Sequence, residues 1–184
     1  RVYFKSQSLA QKVLALVVVE GKIEQINIKD NSKLDQLLPY RHKSKSFVAF
    51  PFFKDSGIFN LRDFEQGVDQ INRLQSYNAQ IDVRPGTKRG HSNVIINSQS
   101  LKPINLSASY NNMGQESSGK SKRTFSANID GVLGLYDNFY INFSKDNAAK
   151  DWKKFLKSIY STFSIPLGYW TFAANYSASS YLTT

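Results

Sequence analysis

The chain has 184 residues and carries 24 Lys+Arg against 14 Asp+Glu, a formal charge of +10. Cysteine is absent, which excludes disulfides, thiolate zinc sites and cysteine nucleophiles, and two histidines and one methionine leave little for a metal site. A hydrophobic share of 41% permits a folded core, while no apolar run approaches the ~18 residues of a membrane-spanning helix.

The first hundred residues mix strand and helix signals. Val13–Val19 is a strand-sized apolar run, and Gly21 separates it from a loosely alternating stretch, Lys22–Lys29, that reads as a strand. Leu34–Leu38 fits one helical turn before Pro39. Leu61, Phe64, Val68, Ile71 and Leu74 recur at spacings of three and four, which predicts a helix over Leu61–Leu74. Asn60 is its N-cap, Asp63 and Glu65 suit the positive end of its dipole, and Arg73 suits the other end. Gln80–Arg84 and Ser92–Asn97 read as strands joined by a Pro85-Gly86 turn, hence a hairpin. The order strand, helical turn, helix, strand, strand makes a small α+β domain with a helix-covered sheet.

Beyond Leu101 strict alternation takes over. Ile104, Leu106, Ala108 and Tyr110 interleave with Asn and Ser, and so do Phe125/Ala127/Ile129 and Phe139/Ile141/Phe143. Phe155–Ile165 and Trp170–Ser179 supply two further segments, giving five strands in all. Alternation of this kind fits a soluble sandwich with one wet face or a membrane barrel with an apolar face toward lipid. Three details favour the barrel: segments of about ten residues, small neutral Ser, Asn and Thr on the polar parity, and Tyr136, Trp152, Tyr169 and Trp170 near strand ends, where interfacial aromatics belong. Five strands cannot close a barrel, so if the barrel reading holds, these strands are expected to be only its beginning.

Catalytic chemistry is thin. Gly114-Gln115-Glu116-Ser117-Ser118-Gly119-Lys120-Ser121 matches the phosphate-loop pattern in letters. However, an alternating strand precedes it and period-two residues follow, so it reads as a hairpin connection and no nucleotide is expected. His42 and His91 lie in polar, turn-like settings. Asp63, Glu65 and Asp69 fit a charged outer helix face better than an acid–base pair. Lys150, Lys153, Lys154 and Lys157 are the nearest approach to a basic cluster and read as a loop flank, so no nucleic-acid partner is expected. Three Asn-X-Ser sequons, at Asn105, Asn142 and Asn175, fall within expected strands. No cofactor, metal or catalytic residue is assigned, and the chain is not expected to be an enzyme.

Several stretches carry a resemblance. Phe50-Pro51 and Gly57–Leu74 resemble the second POTRA domain of TpsB transporters, the outer-membrane partners in two-partner secretion of the haemolysin-activator and contact-dependent-inhibition group. Ile81–Gly86 with Gly90-His91-Ser92 is similar to that family's hairpin, and Val18–Glu24 to the junction between its POTRA domains. Asn111–Gly114, Gly134–Asp137 and Ile165–Trp170 are similar to its first barrel strands.

The resemblance implies an α+β POTRA domain (β-α-α-β-β) followed by antiparallel strands of an incomplete transmembrane β-barrel, itself of about sixteen strands when whole. The expected division is 1–20 as the end of a preceding POTRA domain, 21–99 as a POTRA domain and 100–184 as the first barrel strands. It further implies a bacterial outer-membrane location with the POTRA part in the periplasm, and export of an unfolded TpsA-type exoprotein. Outer-membrane lipid is the other expected partner. The alternative is a non-conducting barrel-assembly or adhesion module. By resemblance, Ala79, Gln80, Ile81, Asp82, Val83 and Arg84 form an edge strand able to receive an extended partner by strand addition. The parity of its outward amides is open between Gln80/Asp82 and Ile81/Val83. The helix face Arg62, Glu65, Asp69 and Arg73 is the next candidate.

Overall fold

The computed structural model describes residues 2–4, 16–18, 20–32, 46–50, 57–58, 60–114, 117–147 and 155–182. Expectations for Leu34–Leu38, His42, Lys150, Trp152, Lys153 and Lys154 lie outside these residues, as do the ends of the Val13–Val19 run. The described elements are β1 (Val2–Phe4), β2 (Leu16–Val18), β3 (Lys22–Ser32), α1 (Ser46–Ala49), α2 (Leu61–Asn72), β4 (Tyr77–Pro85), β5 (His91–Ser100), β6 (Ile104–Asn111), β7 (Ser121–Asp130), β8 (Asn138–Asn147), β9 (Phe155–Leu167) and β10 (Trp170–Leu182). They make a β1–β2 ribbon, a three-stranded sheet ordered β3-β5-β4, and a five-stranded meander ordered β6 to β10.

In the three-stranded sheet β3 runs parallel to β5 and β4 antiparallel to it, so β5 is central. Its Val94 and Ile96 are fully buried and face α2. The helix starts where expected, with the Asn60 side chain accepting from the Arg62 N–H at 3.2 Å. It ends at Asn72 with Arg73 as C-cap, slightly earlier than the apolar period reaches, because Leu74 is buried from the turn that follows. Phe64 and Ile71 are wholly buried beneath it, each worth about 1.5–3 kcal/mol of apolar transfer. Gly67 lets the Phe50 ring close against the helix backbone, since a Cβ there would fall 1.8 Å from the ring.

The five-stranded sheet is built of successive antiparallel hairpins in continuous register. Cross-strand rows are uniform by face. Ala108, Phe125, Phe143, Ile159 and Ala178 form one row of the apolar face, while Ser107, Ser126, Asn142, Tyr160 and Ser177 form a row of the polar face. Polar neighbours satisfy one another, as in Ser107–Ser126 at 2.6 Å and Ser144–Ser158 at 2.7 Å. Leu106, Phe125, Phe143 and Phe172 stand exposed on the apolar face, as strands do when that face meets lipid. The Gly/Ser stretch from Gly114 connects β6 to β7, and a strand begins at Ser121 where a phosphate loop requires a helix.

One expectation fails. Tyr136 is no interfacial aromatic: it is wholly buried, with φ of 54°, and its ring meets Tyr77 edge-on at 5.5 Å. The β7–β8 turn carries it under the three-stranded sheet and not toward a bilayer surface. Tyr169 is also tied down, donating its hydroxyl to Asp63, while Trp170 remains largely exposed.

Candidate partner-receiving edge and its anchorage

β4 lies at one edge of its sheet, so half its backbone polar groups have no ladder partner there. Asn72, at the last turn of α2, reaches this edge. The Ala79 N–H donates to Asn72 Oδ1 at 2.7 Å, and Asn72 Nδ2 donates to the Ala79 carbonyl at 3.0 Å. In an antiparallel ladder the two polar groups of one residue point the same way and successive residues alternate. Ala79 therefore fixes the parity: Ile81 and Val83 turn their amides outward, while Gln80 and Asp82 bond to β5 opposite Asn97 and Ile95. Pro85, lacking an N–H, falls on the outward parity.

The side chains of the edge divide between two faces. Ala79 is buried and Ile81 half-buried against the helix, and Val83 is exposed. Gln80 is exposed and Asp82 half-buried on the opposite face, where Arg84 meets Asp82 at 2.8 Å. Exposed ion pairs of this kind contribute little. On that open face Lys29, Asn78, Gln80, Asn97 and Gln99 surround a shallow polar depression. Beyond Val83 the hairpin tip folds back on β3. A register shift between Ile23 and Gln25 re-aims Glu24, whose carboxylate accepts from the Thr87 hydroxyl, the Thr87 N–H at 2.7 Å and the Lys88 N–H at 3.4 Å. These bonds, the Thr87 hydroxyl foremost, hold the Glu24 carboxyl below its ordinary range.

The four helix-face residues part company. Arg62, Glu65 and Asp69 are exposed. Glu65 and Asp69 share a stripe with Asn72, at i, i+4 and i+7, and so flank β4. Arg73 instead turns to the five-stranded sheet: Nη1 donates to Ser164 Oγ at 2.8 Å and Nη2 to the Tyr136 carbonyl at 3.0 Å. Desolvation pushes its guanidinium down, and the carboxylates of Asp130 and Asp137 oppose the shift. Asp130 also accepts from the Ser76 N–H at 3.0 Å and from Asn138 at 2.7 Å, and Asp137 accepts from the Leu133 and Leu135 amides. Gln70 bonds Thr171 at 3.0 Å and the Trp170 carbonyl at 3.4 Å, and the Gly168 N–H reaches the Val48 carbonyl at 2.8 Å. Two turns of the five-stranded sheet, 131–137 and 168–169, are thereby fastened beneath α2.

The sequence does not single out Asn72, Gln70 or Asp130, and it gives Tyr136 and Asp137 no part in this anchorage. Asn72 and Gln70 look like ordinary polar helix positions. The only signal for the turn was its paired Asp-Gly and Tyr-Asp around Gly134.

Residues 90–184, more than half of the chain, match the family described as haemolysin secretion/activation protein ShlB/FhaC/HecB, and residues 22–85 match the POTRA domain. The chain belongs to the haemolysin secretion/activation family. It is 31% identical over its whole length to the outer membrane transporter CdiB of Dickeya dadantii, of which it covers 31%. It is 32% identical to the hemolysin transporter protein ShlB of Serratia marcescens, with 94% of the chain and 28% of that protein aligned. The solved structure of CdiB from Escherichia coli superposes with a TM-score of 0.78 at 29% identity, covering all of this chain and 32% of that one. The chain thus spans about three tenths of the length of the curated relatives it matches. Membership makes the α2-covered sheet a periplasmic POTRA domain and the five strands part of an outer-membrane β-barrel.

Proposed function

We propose that the full-length protein exports an unfolded exoprotein of the TpsA type across the outer membrane in two-partner secretion, and that β4 receives an extended segment of it. In this reading the chain divides into the end of a preceding POTRA domain (1–20), a POTRA domain (21–99) and the first barrel strands (100–184). The observation that carries the receiving edge is the outward pair Ile81 and Val83, which offers two amides and two carbonyls beside the exposed Glu65–Asp69 stripe. Strand addition draws affinity from such main-chain bonds and leaves register to nearby side chains, which suits a protein that must hold its cargo extended and release it. The cargo then passes from an edge fastened to the barrel wall by Arg73 and Gln70, with no nucleotide required. The protein acts as a transporter and not as an enzyme.

The test is binding of the partner's secretion domain to the full-length protein, compared with its export from cells. Ile81→Pro and Val83→Pro, each with its alanine control, should weaken binding and export together while the barrel stays folded. Normal binding by both folded proline variants rejects strand addition at this edge. A full-length protein that never conducts in a planar bilayer rejects export and favours a non-conducting adhesion or assembly module.

A further inference from the structure

The five-stranded sheet carries a row of cations on its apolar face. Arg123 on β7 pairs directly with Lys145 on β8, and Lys145 with Lys157 on β9; Tyr110 on β6 stands opposite Arg123. All three cations share the face of Phe125, Phe143 and Ile159, each two residues from its neighbour and on the side away from the turns 131–137 and 168–169. Neighbouring strands are about 4.8 Å apart, so the row spans roughly 10 Å. Arg123 and Lys157 are exposed and Lys145 is half-buried. Lys157 Nζ rests over the Phe155 ring at 5.1 Å.

Like charges directly opposite on one sheet face are destabilising. Among the described residues no carboxylate lies within ion-pair distance of any of the three. The row is therefore charge that the sheet itself does not neutralise. Its position is specific. The turns 131–137 and 168–169, fastened to the POTRA domain, mark the periplasmic end of the strands; the row lies toward the other end, where β6 meets β7 and β8 meets β9. It sits one pleat beyond the apolar row that faces hydrocarbon, at the depth where an aromatic such as Tyr110 and the headgroups of the outer leaflet meet.

We infer that Arg123, Lys145 and Lys157 form a binding site for the phosphates of an anionic lipid headgroup in the outer leaflet, with the acyl chains lying along Phe125, Phe143 and Ile159. The inference rests on the outer-membrane placement. A planar guanidinium and two ammonium groups in one line give fork and point donors to phosphate oxygens, and an apolar strip directly below selects a lipid over a free anion. Lys122 supplies an internal control, because it precedes Arg123 on the same strand but projects to the polar face opposite Asp146.

The experiment uses the full-length protein in mild detergent, stripped of lipid and titrated with bis-phosphorylated lipid A, dephosphorylated lipid A or inorganic phosphate, with binding read by native mass spectrometry. Variants are Arg123→Gln, Lys145→Gln and Lys157→Gln, singly and together, with Lys122→Gln as control and heat-modifiable gel mobility as the folding check. Each single variant should weaken the bis-phosphorylated lipid about fivefold and the triple variant roughly a hundredfold. Lys122→Gln should bind like wild type, and inorganic phosphate should neither bind nor compete at millimolar concentration. If the triple variant fails the folding check, the single variants carry the test. Equal binding of the dephosphorylated lipid, an undiminished set of single variants, a loss in Lys122→Gln as large as in Lys145→Gln, or displacement by inorganic phosphate each overturns the site. A wild-type protein that does not integrate into membranes would instead refute the outer-membrane placement, which separates the two failures.

Discussion

Asn72 holds both backbone polar groups of Ala79 with a single carboxamide, one bond at 2.7 Å and the other at 3.0 Å. The side chain does at the start of β4 what a neighbouring strand would do, and so sets where an added strand would have room to pair. Pairing space begins at Ile81 and ends at Pro85, which offers no amide.

Asn72→Ala is therefore expected to act in two ways. Loss of two half-buried hydrogen bonds should lower stability of the POTRA domain by about 1–2 kcal/mol, read as the denaturant midpoint of its unfolding transition. Freed polar groups at Ala79 should lengthen the edge by one pairing unit and raise affinity for the partner's secretion domain. Unchanged stability together with unchanged affinity would mean that the carboxamide is an incidental contact.

A proline scan separates the two parities. Gln80→Pro and Asp82→Pro remove bonds to β5 and should unfold or loosen the sheet, visible in circular dichroism. Ile81→Pro and Val83→Pro should leave the β5 ladder intact and lower partner affinity only. The reverse pattern would place the outward amides on the wrong residues.

At Gly67 two effects of opposite sign compete. Alanine in a helix interior ordinarily gains about 1 kcal/mol over glycine, but here its Cβ would lie 1.8 Å from the Phe50 ring. Overpacking of a filled core costs about 1–3 kcal/mol, and at so short a distance it wins. Gly67→Ala should thus lower the melting temperature, and adding Phe50→Leu should recover most of the loss. A stabilised single variant would show that Phe50 does not pack there.

Glu24 gives the hairpin tip a pH dependence. Its folded-state carboxyl is held below the ordinary range, chiefly by the Thr87 hydroxyl. Such a group contributes stability that is complete above its unfolded pKa and is lost as pH falls toward the folded value. Hydrogen exchange of the Thr87 and Lys88 amides should accordingly lose protection from about pH 4.5 downward, beyond the intrinsic pH trend, whereas Glu24→Gln should follow the intrinsic trend alone. Identical profiles would remove Glu24 from the tip.

Arg73 carries the fifth expectation. Arg73→Ala should leave barrel formation intact but raise amide exchange across 131–137 at least tenfold, since charge-assisted bonds contribute about 1.5–3 kcal/mol. Unchanged exchange there would mean the turn holds its place without the guanidinium.

Much of this fold is legible in the sequence because its periods are clean. Phe64, Val68 and Ile71 show the helix, and the Ser/Asn alternation shows strands such as β6 to within a residue. What stays hidden arises from register between distant segments. Nothing about Arg73 in isolation distinguishes a solvated helix end from a bridge to Ser164, and Tyr136 has the composition of an interfacial aromatic until its turn is folded under Tyr77. The row Arg123–Lys145–Lys157 is likewise invisible until three strands are aligned, because its members are twelve or more residues apart. The resemblance supplied the edge but not its parity, which one carboxamide decides.

The fastening of two hairpin turns beneath α2 also determines how force travels. If β4 receives cargo as proposed, tension on it reaches the barrel strands through the stretch from Ser100 to Ile104, a short covalent tether, and through the parallel cross-ties of Arg73, Gln70 and Ser76. Load is thus spread over the arc of wall from β7 to β10 and does not concentrate on one peptide link. On that reading the strands β7 to β10 are held to the helix-covered sheet at their turn ends, so the two move as one piece.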